Sequence, residues 1–306
     1  MANTRELRRR IKSVKNTAQI TKAMQMVAAT KMRRAQSQAL SGRPYSQTLN
    51  QALTQLLPRI ESGLHPLLQS NDASKNGIIL LSTDKGLAGA LNTNLFRAAL
   101  NFSKDHKDID FFTQGKKARQ FAAKLGKNLV ADFENPDTVT FRQAIQISKV
   151  VVDPFLKGEL KEVYLIYPDF VSTLRQEPKV IKLLPIDIEA LKSFINIQLE
   201  NTAHPRGESK VISKDHLGGG HQDFLFEPNL NDLLDFILIH FIQTKIYQAL
   251  LETKASEHSA RMMAMQNATE NAKELVGDLT LSYNQTRQES ITRELLEITS
   301  ALAALE

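Results

Sequence analysis

The chain has 306 residues, 42% of them hydrophobic and 24% charged, a balance that excludes a disordered tail and a multispan membrane protein. It contains no cysteine, which excludes disulfides, thiolate nucleophiles, cysteine-ligated zinc and thiol control of activity. The most apolar stretch, residues 233–242, already holds Asp235 and His240, whereas a membrane-spanning helix needs roughly 20 apolar residues. With no secretory signal at the amino terminus, we expect a soluble cytoplasmic protein of two structural parts.

The net charge of +6 is unevenly distributed. Residues 1–40 hold ten Lys or Arg and the single acid Glu6, whereas residues 229–306 hold six basic and eleven acidic residues. Opposite charges at the two ends indicate that the terminal segments lie side by side, that they face different partners, or that both are ordinary solvated helix faces.

Residues 1–41 contain neither glycine nor proline and are rich in helix-favouring residues, so they predict one long helix. After Gly42 and Pro44, a second helical stretch is predicted over residues 45–57. The first helix carries an apolar stripe with the 4-3-4 spacing of a coiled-coil seam, formed by Leu7, Ile11, Val14 and Ala18.

The 78 residues after Pro228 contain no proline and only one glycine, Gly277, and they predict a second and longer helix. Its first part, residues 233–251, is apolar on nearly all sides, so we expect it to be enclosed by the rest of the protein. Its last part has a strict seam of 4-3-4-3 spacing, formed by Ile291, Leu295, Ile298, Leu302 and Leu305.

The middle of the chain alternates between strand and helix patterns, which predicts a small sheet with crossover helices. Strands are predicted at 77–81, 109–113, 163–167 and 180–184, and helices at 91–102, 116–125 and 139–156. Residues 201–223 have the composition of a mobile loop.

The predicted fold is a long antiparallel coiled coil of the terminal helices plus a small central Rossmann-like α/β domain. The first helix enters this domain at its carboxyl end and the last helix leaves the domain, so packed together they must be antiparallel. At about 1.5 Å per residue the last helix reaches roughly 115 Å and should overhang the first. The predicted boundaries are 1–57, 77–187, 188–228 for a connecting segment, and 229–306.

The strand-to-helix turn STDKGLAGALN superficially resembles a phosphate-binding turn. It lacks both complete glycine fingerprints, and Gly86 and Gly89 also suit a tight turn for backbone reasons alone. The seven histidines form no metal-ligand motif, and no catalytic triad is recognisable. The basic first helix has no aromatic residue before Tyr45, which disfavours nucleic-acid binding. We therefore expect no cofactor, metal or catalytic residue.

Four blocks, in order along the chain, resemble the gamma subunit of the F-type ATP synthase, bacterial type. They are RELRRRIKSVKNTAQITKAMQMVAATKMRRAQ, LLSTDKGLAGALNTNLF, ASEHSARMMAMQNATENA and YNQTRQESITRELLEITSALAAL. Between residues 100 and 220 no motif is recognised, and the assignment there rests on position. The family's closing block usually has a glycine where this chain has Ala301, a difference that stiffens the last turn.

The resemblance implies a non-catalytic rotor that couples proton flow through the membrane sector to ATP synthesis or hydrolysis in the alpha and beta subunits. The implied partners are the alpha, beta and epsilon subunits and the c-ring, with one copy of this chain per complex. The implied location is peripheral, on the cytoplasmic face of the bacterial inner membrane. Two alternatives stay open: a free-standing coiled-coil adaptor, and a nucleotide-using enzyme with helical arms.

The resemblance also implies three groups of contact residues. The catch contacts with the beta subunit fall on Met24, Arg261, Gln288, Thr292 and Glu294. The bearing at the tip of the shaft falls on Ile298, Leu302 and Leu305. The region that meets the c-ring and epsilon subunit falls on Arg43, Tyr45, Asp223, Phe224 and Glu227.

Overall fold

The computed structural model describes residues 4–41, 65–106, 108–186 and 230–303. The predictions for residues 45–57 and 201–223 lie outside the described residues, and the domain boundaries remain predictions. Two long helices stand at the ends of the described chain, α1 (Thr4–Ser41) and α5 (Leu230–Ala303).

The middle of the chain alternates between strands and helices, as predicted. A short 3₁₀ helix at Pro66–Leu68 comes first. The elements that follow are β1 (Asn76–Leu81), α2 (Leu91–Asp105), β2 (Ile109–Gln114), α3 (Lys116–Lys124), β3 (Asn128–Phe133), α4 (Phe141–Leu156), β4 (Glu162–Phe170) and β5 (Gln176–Leu184). Every strand and helix predicted in this region is confirmed with small shifts of its ends, whereas β3 and the 3₁₀ helix were not predicted.

The strands form one sheet in the order β3-β2-β1-β4-β5, with the β4–β5 pair antiparallel and the others parallel. Every residue of the central strand β1 is buried, because helices cover both faces of the sheet. α2 and α3 pack on one face, and α4 and the first part of α5 pack on the other. The fold class is therefore confirmed as a small Rossmann-like domain joined to long terminal helices.

Two local sequence features fix the ends of elements in this domain. Thr140 and Gln143 form a reciprocal capping box at the start of α4, which satisfies backbone N–H groups that the helix leaves open. Gly115 lies between β2 and α3 with a φ of 93°, and a Cβ there would lie 2.6 Å from the carbonyl oxygen of Ser82. Only glycine fits this turn without displacing the backbone of the neighbouring strand end.

The two terminal helices pack against each other in antiparallel orientation, which confirms the predicted coiled coil. The hydroxyls of Thr21 and Thr269 are hydrogen-bonded at 2.7 Å, and the amide of Gln25 donates to the side-chain oxygen of Gln266 at 3.4 Å. The predicted stripe on α1 faces this contact: its first member is buried and the other three are partly buried (Leu7, Ile11, Val14 and Ala18).

The first part of α5 lies in the core of the domain, as its apolar character predicts. Ile242, Ile246, Leu250 and their neighbours are almost completely buried, and they share one continuous core with the sheet and α4. Asp235 also fixes the base of α5, because it accepts a hydrogen bond from Nε2 of His65. Nε2 is the protonated ring nitrogen, because Nδ1 of His65 accepts a hydrogen bond from the N–H of Leu67. The long helix is therefore anchored in the domain rather than joined to it by a hinge.

Candidate functional site: neck, shaft and overhang

Residues 253–261 of α5, which we call the neck segment, cross the carboxyl-terminal edge of the sheet. Ser256 donates its hydroxyl to the carbonyl of Pro168 at 3.0 Å, and Ser259 donates to the carbonyl of Thr173 at 2.7 Å. Both serines are fully buried. Their small side chains allow α5 to approach the backbone at the end of β4, and the two hydrogen bonds fix the helix against it.

The neck segment fills the position where folds of this type bind nucleotides. In an open α/β sheet that position is the crevice at the carboxyl ends of adjacent strands whose crossover helices lie on opposite faces. Here those strands are β1 and β4, because α2 and α4 cover opposite faces of the sheet. The crevice is therefore occupied by α5, an arrangement that disfavours the nucleotide-binding alternative.

The turn after β1 presents carbonyl oxygens towards α5. Nη2 of Arg261 donates to the carbonyls of Lys85 and Gly86, at 3.4 and 3.3 Å. A phosphate-binding turn presents N–H groups instead. Leu87 and Gly89 have φ values of 61° and 56°, so glycine serves the backbone geometry of the turn. Of the two interpretations left open for this turn, the geometry supports the structural one.

Arg261, predicted as a catch residue, is bound mainly within its own chain. Its guanidinium pairs with Glu257 at 2.9 Å, one turn earlier on α5, and the two side chains are only 12% and 7% exposed. The second oxygen of Glu257 lies 3.7 Å from Nζ of Lys254. The result is a row of alternating charges along the neck segment that ties α5 to the turn after β1.

The five predicted catch residues lie at two separate levels of the shaft, which is the antiparallel pair of α1 and α5. Met24 is partly buried. In the register of the α1–α5 pair, Met24 lies within about 8 Å of Arg261, measured along the helix axis. Gln288, Thr292 and Glu294 are exposed and lie about 40–50 Å further along α5. One partner loop therefore cannot contact all five residues at once.

The end of α5 extends beyond α1 as predicted. Extrapolating the register of the pair places Thr4 beside Thr286, so residues 287–303 form an overhang about 25 Å long. Three residues of its predicted seam are 45%, 57% and 58% exposed: Ile291, Leu295 and Ile298. The side chain of Leu302 lies outside the described residues.

The remaining predicted contacts also lie outside the described residues. They are Leu305 at the tip, and Arg43, Tyr45, Asp223, Phe224 and Glu227 at the feet of the helices. Their roles remain predictions.

Several buried charged groups were not predicted from the sequence. Burial lowers the pKa of His258 to about 4 and also lowers the pKa of Lys254. Nearer the base of α5, burial lowers the pKa of Lys245 to about 7. Burial and the carboxylate of Asp169 raise the pKa of Glu252 to about 7. The sequence does carry one signal of their burial. These charged residues stand among Ala, Ser and apolar residues on every face of the helix, which is typical of a buried helix.

The described residues offer neither a metal site nor a membrane span. They contain no group of three or more His, Asp or Glu side chains placed to hold a metal ion. None of their helices has the length and apolar character needed to cross a bilayer.

The fold and the overhang define a class of protein: an α/β domain from which two antiparallel helices project as a shaft of unequal arms. Within that class, a protein family described as ATP synthase matches residues 3–305. The chain is 44% identical to the ATP synthase gamma chain of Methylacidiphilum infernorum over the full length of both. It is 41% identical to that of Opitutus terrae, with 98% of each chain covered. The chain belongs to the ATP synthase gamma chain family, and with it the predicted identification is confirmed.

Solved structures show the same fold. A chain from the rotor of the Euglena gracilis mitochondrial ATP synthase superposes with a TM-score of 0.62 at 22% identity, covering 94% of this chain and 98% of that one. A chain from the central stalk and c-ring of the Tetrahymena thermophila mitochondrial enzyme gives 0.56 at 23% identity, with coverages of 81% and 99%. Family membership makes this chain an ATP synthase gamma chain, and it decides against the free-standing adaptor.

Proposed function

We propose that the chain is a rotating shaft without catalytic groups of its own. It couples proton translocation through the membrane sector to ATP synthesis or hydrolysis in the head of alpha and beta subunits. Its domain sits against the epsilon subunit and the c-ring, with one copy per complex, at the cytoplasmic face of the bacterial inner membrane. The chain's membership of the gamma chain family and its filled nucleotide crevice support this proposal.

The observation that carries the proposal is the overhang. A single helix is anchored in the domain at one end. At the other end it exposes Ile291, Leu295 and Ile298 along one stripe, and no other helix among the described residues lies beside them. An exposed apolar stripe of this kind marks an interaction site. Because dispersion contacts have little directional preference, an apolar bearing surface allows a shaft to turn without deep angular minima.

The stripe is tested by the double substitution Leu295→Asp and Ile298→Asp in the assembled enzyme. The matched control is Ser282→Asp with Ser300→Asp, which adds the same charge at exposed positions on the opposite side of α5. We expect the stripe variant to lower assembly or proton-driven ATP synthesis at least about tenfold, since each buried Asp costs several kcal/mol. The control variant should retain most of its activity.

The isolated chain supplies the second readout. The stripe variant should unfold at the same temperature as the unsubstituted chain, because both substituted side chains are exposed in the isolated molecule. Unchanged assembly together with unchanged ATP synthesis would contradict the bearing role. An equal loss in the control variant would assign the effect to added charge.

We also propose that the catch contacts operate at the two levels that the geometry separates. Gln288, Thr292 and Glu294 are available to a partner near the tip, whereas Arg261 and Met24 act close to the neck. Charge-assisted hydrogen bonds contribute roughly 1.5–3 kcal/mol each, enough for a contact that breaks and re-forms in each rotational step.

A further inference from the structure

We propose that the neck carries a binding site for a phosphate-sized oxyanion. The site is a cavity of about 100 Å³ between α1, the neck segment of α5 and the loop from β3 to α4. Nothing in the rotor function requires a small-molecule site at this place. Its residues come from three elements that meet only here: Lys31, Arg34, Ala35 and Gln38 of α1, Asp137, Thr138 and Val139 of the loop, and Leu251, Lys254 and His258 of α5.

The charge of the lining favours an anion. Three cationic side chains, Lys31, Arg34 and Lys254, face the cavity with the single carboxylate of Asp137. Lys31 pairs with Asp137 at 2.8 Å, so this acid balances one of the cations. Lys254 lies 3.7 Å from the buried carboxylate of Glu257, so the positive excess of the cavity comes from Arg34 at its solvent-exposed side. This excess attracts a negative charge.

The donors in the cavity are only partly used by the protein. Lys254 is 5% exposed, and its only polar contacts in the described residues are long: 3.4 Å to the carbonyl of Asn135 and 3.7 Å to the carboxylate of Glu257. His258 is also 5% exposed, and its Nδ1 has no hydrogen-bond partner among the described residues. Arg34, which is exposed to solvent, makes no ion pair within the part of the chain that the structure describes. Buried polar groups are normally satisfied, so the buried and unpartnered Nδ1 of His258 points to a missing ligand.

The size of the cavity selects the class of ligand. About 100 Å³ accommodates roughly three waters or one tetrahedral oxyanion, whereas pockets for nucleotide-sized ligands measure roughly 300–1,000 Å³. Inorganic phosphate fits this volume and charge, and it matches the hydroxyl of Thr138 and the cationic donors that the lining provides. A complete nucleotide does not fit.

A bound oxyanion would connect the shaft to the domain. It would accept hydrogen bonds from α1, from α5 and from the loop before α4 at the same time, at the level where both helices leave the sheet. Occupancy is therefore expected to stiffen the neck. The inference concerns binding by the chain itself and does not depend on rotation, so its test can fail while the proposed function stands.

The test is calorimetric titration of the full-length chain at pH 7 with inorganic phosphate, against chloride at matched ionic strength. We expect saturable binding of phosphate with a dissociation constant of about 1 mM. Arg34→Gln should weaken it about tenfold, the effect of losing one charge-assisted hydrogen bond. The matched control is Arg33→Gln, which removes the same charge from the next residue of α1, outside the cavity lining. It should leave the affinity within about twofold, because exposed charges are screened.

A second readout locates the bound ion. The ring resonances of His258, assigned by comparison with His258→Gln, should shift on addition of phosphate or sulfate but not chloride. No saturable binding, or equal weakening by the Arg33 and Arg34 substitutions, would overturn the site. ATP binding that competes with phosphate and depends on Arg34 would overturn the size argument. Binding only of acidic peptides would identify the cavity as part of a protein interface and also overturn the proposal.

Discussion

Residues 237–261 of α5 are enclosed by the sheet, α4 and α1, whereas residues 291–300 of the same helix are exposed on every side. Both stretches are built from helix-favouring residues, and the difference between them lies in the distribution of apolar side chains. The first is apolar almost all round, and the second has one stripe. One half of α5 is thus stabilised by its own chain, and the other half presents a surface for other chains.

The contrast between these two parts of α5 predicts that shortening a leucine to alanine destabilises the enclosed part far more than the exposed part. Leu250→Ala should lower the free energy of unfolding of the isolated chain by about 2–5 kcal/mol, because Leu250 is 1% exposed and its removal leaves a cavity. Leu295→Ala removes the same atoms from a side chain that is 57% exposed, so it should change stability by less than about 0.5 kcal/mol. Denaturant unfolding of both variants measures the difference, and equal losses would show that the overhang packs against its own chain.

A pH experiment sharpens the same contrast. Because the pKa of Glu252 is raised from 4.5 to about 7, its carboxyl group holds its proton more tightly in the folded state. The contribution of Glu252 to stability should therefore fall as pH rises from about 5 to about 7. The pKa of His258, lowered from 6.5 to about 4, makes the contribution of His258 rise with pH up to about 6.5. The lowered pKa of Lys245, about 7, also acts in the opposite sense to Glu252, and its contribution makes stability rise with pH above 7.

Glu252→Gln should remove the Glu252 contribution, so that stability rises more steeply between pH 5 and 7 than in the unsubstituted chain, and it should raise the free energy of unfolding at pH 8 by roughly 1–3 kcal/mol. Glu274→Gln is the matched control, since Glu274 is exposed on the shaft. Denaturant unfolding at pH 5, 6, 7 and 8 compares the two. A Glu252→Gln profile that keeps its slope between pH 5 and 7 would refute the role given to this carboxyl group.

The sequence predicted the two long helices and most of the sheet for identifiable physical reasons. The absence of proline and the presence of a single glycine permit a helix of 74 residues, and the switch from 3.6-residue to short apolar periodicity marks β1. It did not predict β3, because a six-residue edge strand with alternating exposure lacks the continuous apolar run of a central strand.

The sequence was less informative about the site. From its local sequence, Arg261 is predicted to be a surface residue of a helix. Its nearly buried position arises because α5 crosses the edge of the sheet, where Arg261 contacts Gly86, 175 positions earlier in the chain. Likewise, nothing local in the sequence shows that Lys31 and Lys254 line one cavity with Asp137. Such charges are placed by tertiary contacts, which helical periodicity does not encode.

A small stabilising effect is expected at Gly277, which lies in the exposed part of the shaft between the two regions. A Cβ at this position would meet no other atom within 4 Å, so Gly277→Ala should fit without strain. We expect it to raise the free energy of unfolding by about 0.5–1 kcal/mol, because glycine loses more backbone entropy than alanine in a helix. Asn271→Ala, at another exposed position of α5, controls for a general gain in helix propensity.

Thermal unfolding and proton-driven ATP synthesis of the Gly277 variant together show whether bending of α5 at this glycine contributes to coupling. A gain in stability with unchanged synthesis would mean that local bending at Gly277 contributes nothing to coupling. A gain in stability with slower synthesis, absent from Asn271→Ala, would identify Gly277 as a point of bending between the anchored and overhanging parts of α5. No gain in stability would contradict the exposed helical setting from which the effect is derived.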